Sequence, residues 1–79
     1  MDKPMREAET PLDIARRHVA EGEARCARQA EILWEMIADD HPQAAELAQQ
    51  VLATMENTLE TLREHLRSEE MQAARAAGA

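Results

Sequence analysis

The residues of this chain that could act on a substrate or hold a metal ion are one cysteine, three histidines and sixteen carboxylates. A reactive thiol needs a basic neighbour together with exposure to solvent. Arg25 and Arg28 lie near Cys26 in the sequence, but on a helix they extend along different faces from it. Cys26 also occupies a position of the apolar repeat. The pattern therefore predicts a small, buried hydrophobic side chain rather than a nucleophile.

The histidines His18 and His65 are the best candidates for a metal site. In an antiparallel helix pair they would lie within about one helical turn of each other, with Glu21 or Glu69 as an oxygen ligand. Protein zinc sites use three or four protein ligands, and the chain contains no Cys-x-x-Cys or His-Glu-x-x-His motif. We therefore expect solvated histidines, with neither a metal nor another cofactor. A ligand- or metal-binding bundle that uses His18 and His65 is the alternative function.

Composition argues against several other functions. Two packed helices enclose no concave pocket for an acid–base pair, so we do not expect an enzyme. A net charge of −7 repels phosphate, and Trp34 is the sole aromatic residue, so we expect no nucleic-acid partner. No stretch approaches the roughly 20 apolar residues of a membrane span. With one cysteine and no signal segment, a cytoplasmic location without membrane contact is expected.

The stretch Asp39-Asp40-His41-Pro42 divides the chain into two helical segments. Proline lacks an N–H and disfavours helix in the residue before it, so Pro42 is predicted to begin a helix and His41 to lie outside one. The apolar residues Leu33 and Ala45 are not separated by a multiple of seven, so one heptad register does not continue through the turn. The sequence therefore predicts an all-α, antiparallel two-helix hairpin.

Local signals predict where the helices begin. Thr10 can cap the first helix, Pro11 suits its first position and Asp13 can reach back to complete a capping box. The second helix is expected to lose its anchorage once large apolar residues stop. The predicted organisation is a flexible N-terminal tail over residues 1–9, a hairpin over 10–70 with helices at about 11–38 and 42–70, and a frayed C-terminal tail over 71–79.

Apolar residues recur at three- and four-residue spacing in both segments and define a seam between the helices. Residues whose numbers sum to about 80 should face each other across an antiparallel pair, which places Gly22 opposite Leu59. A mid-helix glycine costs about 1 kcal/mol relative to alanine, and room for Leu59 would offset that cost. The predicted seam comprises Leu12, Ala15, Val19, Gly22, Cys26, Ala30, Leu33 and Ile37 on the first helix, and Ala45, Ala48, Leu52, Met55, Leu59, Leu62 and Leu66 on the second.

Apolar residues near the turn exceed what one hairpin can cover. Trp34 lies beside the seam rather than in it, and such an excess is typical of a subunit interface. The alternative is that Trp34 lies flat on its own hairpin, half exposed. We expect a homodimer that forms a four-helix bundle and acts as a non-enzymatic interaction or regulatory module, with another protein as a further candidate partner. The predicted interface residues are Trp34, Ile37, Ala27, Leu47 and Val51.

Several short motifs carry a resemblance to known sequences. The chain resembles a group of small, uncharacterised bacterial helical-hairpin proteins with an Arg-His-Val-x-Glu-Gly-Glu opening, an Arg-Gln pair, a Gly-His turn and a His-Leu ending. Here Asp40 takes the place of the usual Gly before His41. No catalytic residue is known for the group, so the resemblance implies a hairpin and no activity. The matching segments are residues 17–23, 28–29, 52–54, 58–59 and 63–66.

Overall fold

The computed structural model describes residues 9–78 and consists of two packed α-helices, α1 (Pro11–Ala38) and α2 (Pro42–Gly78). No strand occurs within this range. The predicted all-α hairpin is confirmed, as are the start of both helices and the end of the first. Residues 1–8, assigned above with Glu9 to the N-terminal tail, lie outside the described residues, as does Ala79.

The predicted capping box begins α1. The backbone N–H of Asp13 donates to Thr10 Oγ1 at 3.1 Å, and the backbone N–H of Thr10 donates to Asp13 Oδ2 at 3.2 Å. The hydrogen bond from the Thr10 backbone, and then the one with its side chain, lower the pKa of Asp13 below its ordinary value. The cap therefore stabilises the helix above that ordinary pKa and loses this contribution as the pH falls through the lowered value.

A Schellman motif ends α1 and sets the direction of the turn. The His41 N–H donates to the Met36 carbonyl oxygen at 2.9 Å, and the Asp40 N–H donates to the Ile37 carbonyl oxygen at 3.1 Å. This geometry requires a left-handed residue, and Asp40 has a φ of 60°. Pro42 then begins α2 directly, so the chain reverses over a few residues.

The left-handed conformation of Asp40 predicts that glycine would stabilise the turn. We expect Asp40→Gly to raise the free energy of unfolding by about 1 kcal/mol, because glycine adopts positive φ without a Cβ clash. Asp39→Gly is the matched control: Asp39 has a φ of −88°, so glycine gains nothing there and increases the freedom of the unfolded chain. Urea unfolding followed by circular dichroism measures both. Equal shifts for the two variants would contradict the proposed strain.

The second helix ends later than the sequence predicts. The predicted end near Glu70 is wrong, because α2 continues to Gly78. Residues 71–78 are all exposed, and Met71 retains 58% of its accessible surface. Alanine makes up half of this segment, and adding residues to an existing helix is much easier than nucleating one. Helix propensity without tertiary contact therefore extends α2.

The predicted seam forms the core between the helices. Every predicted seam residue except Ile37 is buried or half-buried. At Gly22, an added Cβ would lie 3.0 Å from Leu59 Cδ1 and 3.3 Å from Leu62 Cδ1, so the glycine permits the predicted close approach of Leu59. The core is small: its buried hydrophobic residues are Ala15, Val19, Ala48 and Leu59.

Candidate functional site

The five residues predicted to form an interface are all exposed on the hairpin. Trp34 keeps 68% of its accessible surface and Leu47 keeps 62%. Ile37 and Val51 are exposed to 50% and 41%, and Ala27 is also exposed. Because two-thirds of Trp34 remains accessible, its own hairpin does not cover the indole. The exposure leaves these residues free to contact another molecule.

The hairpin has two broad faces, one on each side of the plane that contains the helix axes. Successive residues of an α-helix are about 100° apart, so Thr58 and Glu60 lie on opposite sides of the buried Leu59. Thr58 lines a shallow groove with Thr54 and Arg25. Glu60 lines another groove with Glu23 and Arg63. We call the first the threonine face and the second the ion-pair face.

Leu47 and Val51 belong to the threonine face. Residues seven positions apart occupy nearly the same stripe of a helix, because two turns separate them. Leu47 precedes Thr54 by seven residues, and Val51 precedes Thr58 by seven. On α1, Ile32 follows Arg25 by the same interval and is half-buried. The threonine face is therefore most apolar next to the turn.

Trp34, Ile37 and Ala27 belong to the ion-pair face. Trp34 follows Glu23 by eleven residues, which is about three helical turns, and Ala27 follows Glu23 by four residues. Ile37 lines a groove with Gln49, which precedes the ion-pair residue Glu56 by seven. The sequence pattern predicts that these five residues form one continuous surface. The structure divides them between two faces that a single partner on one side cannot cover together.

The ion-pair face carries contacts that join the two helices. Arg63 NH2 lies 3.2 Å from Glu23 Oε2 across the groove, and Arg63 NH1 lies 3.8 Å from Glu60 Oε1 on the same helix. Arg67 NH2 lies 3.5 Å from Glu60 Oε2. All of these groups are substantially exposed, so each pair contributes little stability. The network nevertheless keeps this face charged and hydrated.

On the threonine face, α2 presents a stripe without a formal charge. The sequence contained this signal, since the stripe follows from the heptad positions of α2, but the predicted interface included only two of its members. Most of the stripe is small or β-branched. All three of its threonine hydroxyls donate to carbonyl oxygens one turn earlier, at 3.2 Å for Thr54 and Thr58 and 3.3 Å for Thr61. The stripe comprises Ala44, Leu47, Val51, Thr54, Thr58, Thr61, His65 and Ser68.

The histidines His18 and His65 lie on exposed positions of the helices, and Cys26 lies at the seam. His65 Nε2 lies 3.6 Å from Glu69 Oε2, a pair that is ionic only when the histidine is protonated, and His18 is exposed. No group of three or more His, Cys, Asp or Glu residues that could hold a metal ion occurs within residues 9–78. Cys26 is half-buried between the helices, where the sequence predicts a hydrophobic role.

This geometry predicts weak metal binding. Residues 9–78 bring no three His, Cys, Asp or Glu ligands together, whereas a tight zinc site needs three or four preorganised ligands. We expect titration with zinc or cobalt to show no submicromolar binding, and His18→Ala and His65→Ala to leave the titration unchanged. Submicromolar binding that either substitution abolishes would instead favour the metal-binding bundle.

Neither helix is long and apolar enough to cross a membrane. Comparisons with models of protein families, with curated proteins and with solved structures gave no match to this chain. The functional conclusion therefore depends on the hairpin itself.

Proposed function

We propose that the chain is a small, non-enzymatic interaction module that self-associates through its threonine face, with two hairpins packing into a four-helix bundle. One observation carries the proposal. The α2 stripe on this face has no formal charge over residues 44–68, and its turn-proximal part exposes Leu47 and Val51. A surface that combines exposed apolar side chains with an absence of charge resembles the core of a protein interface.

The thinness of the hairpin supports the need for a partner. Its shortest dimension is 13 Å, which is close to the diameter of one helix with its side chains. Each helix therefore packs against one neighbour only, and no side chain is completely buried among the described residues. Small domains with so little core usually depend on oligomerisation or another reinforcement. A second helical layer would bury the threonine face and enlarge the core.

The ion-pair face is the poorer choice for that second layer. Covering it would remove Glu23, Glu60 and Arg63 from water, and desolvating charges can cost more than their mutual attraction returns. On the threonine face, the charged residues lie on α1: Arg25 lines the groove, and Glu21, one turn earlier, lies on the same side of the helix. The α2 stripe beside them has no formal charge over residues 44–68. Its threonine hydroxyls have partners within their own helix. Burial there consequently costs less.

Self-association predicts that stability depends on protein concentration. For a dimer that unfolds to two monomers, a tenfold rise in concentration adds about 1.4 kcal/mol, which should raise the Tm by about 3–6 °C. Thermal unfolding followed by circular dichroism from low to high micromolar concentration measures this shift. A Tm that stays constant over a hundredfold range would contradict coupled folding and association.

A further inference from the structure

The charge of this protein is distributed unevenly along the hairpin. The turn end, residues 29–51, carries five carboxylates and neither lysine nor arginine. The rest of the described hairpin, residues 9–28 and 52–78, is called the open end and carries nine carboxylates and seven arginines. The turn end is therefore strongly acidic, whereas the open end is nearly balanced. The same turn end exposes Leu47 and Val51 on the threonine face.

The ion pairs are also distributed unevenly between the open end and the turn end. At the open end, Arg17 Nε lies 3.1 Å from Glu9 Oε2, and Arg63 NH2 lies 3.2 Å from Glu23 Oε2. At the turn end, Arg28 reaches Glu31 at 3.2 Å from just outside the segment. The remaining turn-end carboxylates have no basic group within 4.0 Å among residues 9–78, namely Glu35, Asp39, Asp40 and Glu46.

We propose that the turn end is covered by the open end of a second copy of this chain, so that the two hairpins of the dimer run antiparallel. This inference rests on the proposed self-association. A parallel dimer would bring two acidic turn ends together, where like charges within about a Debye length of 8 Å repel. The antiparallel dimer instead places each acidic turn end beside the arginines of its partner.

The apolar surface is compatible with this direction. Ile14 lies at the open end and precedes Arg25 by eleven residues, so it occupies the threonine face of α1 and is half-buried. Leu62, which lines the threonine-face groove, is also half-buried. In the antiparallel dimer, these residues lie beside Leu47 and Val51 of the other copy. Each turn end thus meets apolar side chains as well as the arginines of the other copy.

Distances between spin labels test the direction of packing. In a Cys26→Ala background, Ala24→Cys and Ala38→Cys each provide one labelling site per chain. Both residues are exposed on α1, and because they are two heptads apart they share one stripe. Ala24 lies near the middle of α1 and serves as the matched control. Circular dichroism and light scattering of each labelled protein establish that it is folded and dimeric.

The antiparallel dimer predicts a short distance at position 24, under about 30 Å, and a long distance at position 38, about 40 Å or more from a rise of 1.5 Å per residue. Short distances at both positions would show a parallel dimer and overturn this inference, while leaving self-association intact. Any other pair of distances in a dimeric sample would also overturn it. A mass of 8.9 kDa without dipolar coupling would refute the proposed function itself.

Discussion

Leu59→Asp is expected to abolish the helical hairpin. Leu59 is 6% exposed and packs against Gly22, where an added Cβ would lie 3.0 Å from Leu59 Cδ1. An aspartate there would be charged and surrounded by apolar groups, or would have to be protonated, and either outcome costs several kcal/mol. Domains of this size have a total stability of about 5 kcal/mol. The expected result in circular dichroism is a loss of most helical signal at neutral pH.

Asn57→Asp is the matched control for this substitution. It adds the same carboxylate to an exposed position of α2, two residues earlier. We expect its stability to remain within about 0.5 kcal/mol of the parent value, as for most surface substitutions. If Leu59→Asp retains the parent spectrum and unfolding midpoint, Leu59 does not hold the helices together and the described seam is incorrect.

The double substitution Leu47→Glu with Val51→Glu is expected to dissociate the dimer. Two carboxylates would then enter the proposed interface beside an already acidic turn end, so we expect the dissociation constant to rise at least about 100-fold. Glutamate is a good helix former, and both positions are exposed on the hairpin, so α2 itself should remain helical. Sedimentation over a dilution series measures the change in association.

The pair Trp34→Glu with Ile37→Glu is the control for that experiment. It adds the same charge to two exposed apolar residues at the same end of the molecule, but on the ion-pair face. We expect this variant to remain dimeric at concentrations where the Leu47 and Val51 variant is monomeric. The reverse outcome would show that the interface lies on the ion-pair face. Dissociation of both variants would favour the one continuous interface that the sequence pattern predicts.

Local sequence signals predicted most helix boundaries because the groups that make them are neighbours in the chain. Thr10 and Asp13 bond to each other within one turn, and Pro42 imposes its own backbone angle. The seam could also be predicted from the sequence, because helical periodicity places its residues on one side of each helix. The end of α2 could not be predicted in this way. Large apolar residues stop near Glu70, but an alanine-rich segment extends a helix without tertiary contact.

The sequence pattern alone could not show that the predicted interface residues lie on two different faces. Trp34 and Leu47 are both apolar, near the turn and outside the seam, and these shared properties grouped them as one surface. Their separation depends on which side of α1 faces which side of α2, and contacts such as Arg63 with Glu23 establish that relation. The absence of charge on the α2 stripe was readable from the sequence once its heptad had been assigned.

Light scattering coupled to size exclusion tests self-association most directly, because it measures mass independently of shape. The proposed dimer predicts a mass near twice 8.9 kDa at high micromolar concentration, falling toward 8.9 kDa on dilution. The Leu47→Glu with Val51→Glu variant should give the monomer mass over a wider range of concentration. A constant mass of 8.9 kDa for the unmodified chain throughout the micromolar range would contradict the four-helix bundle.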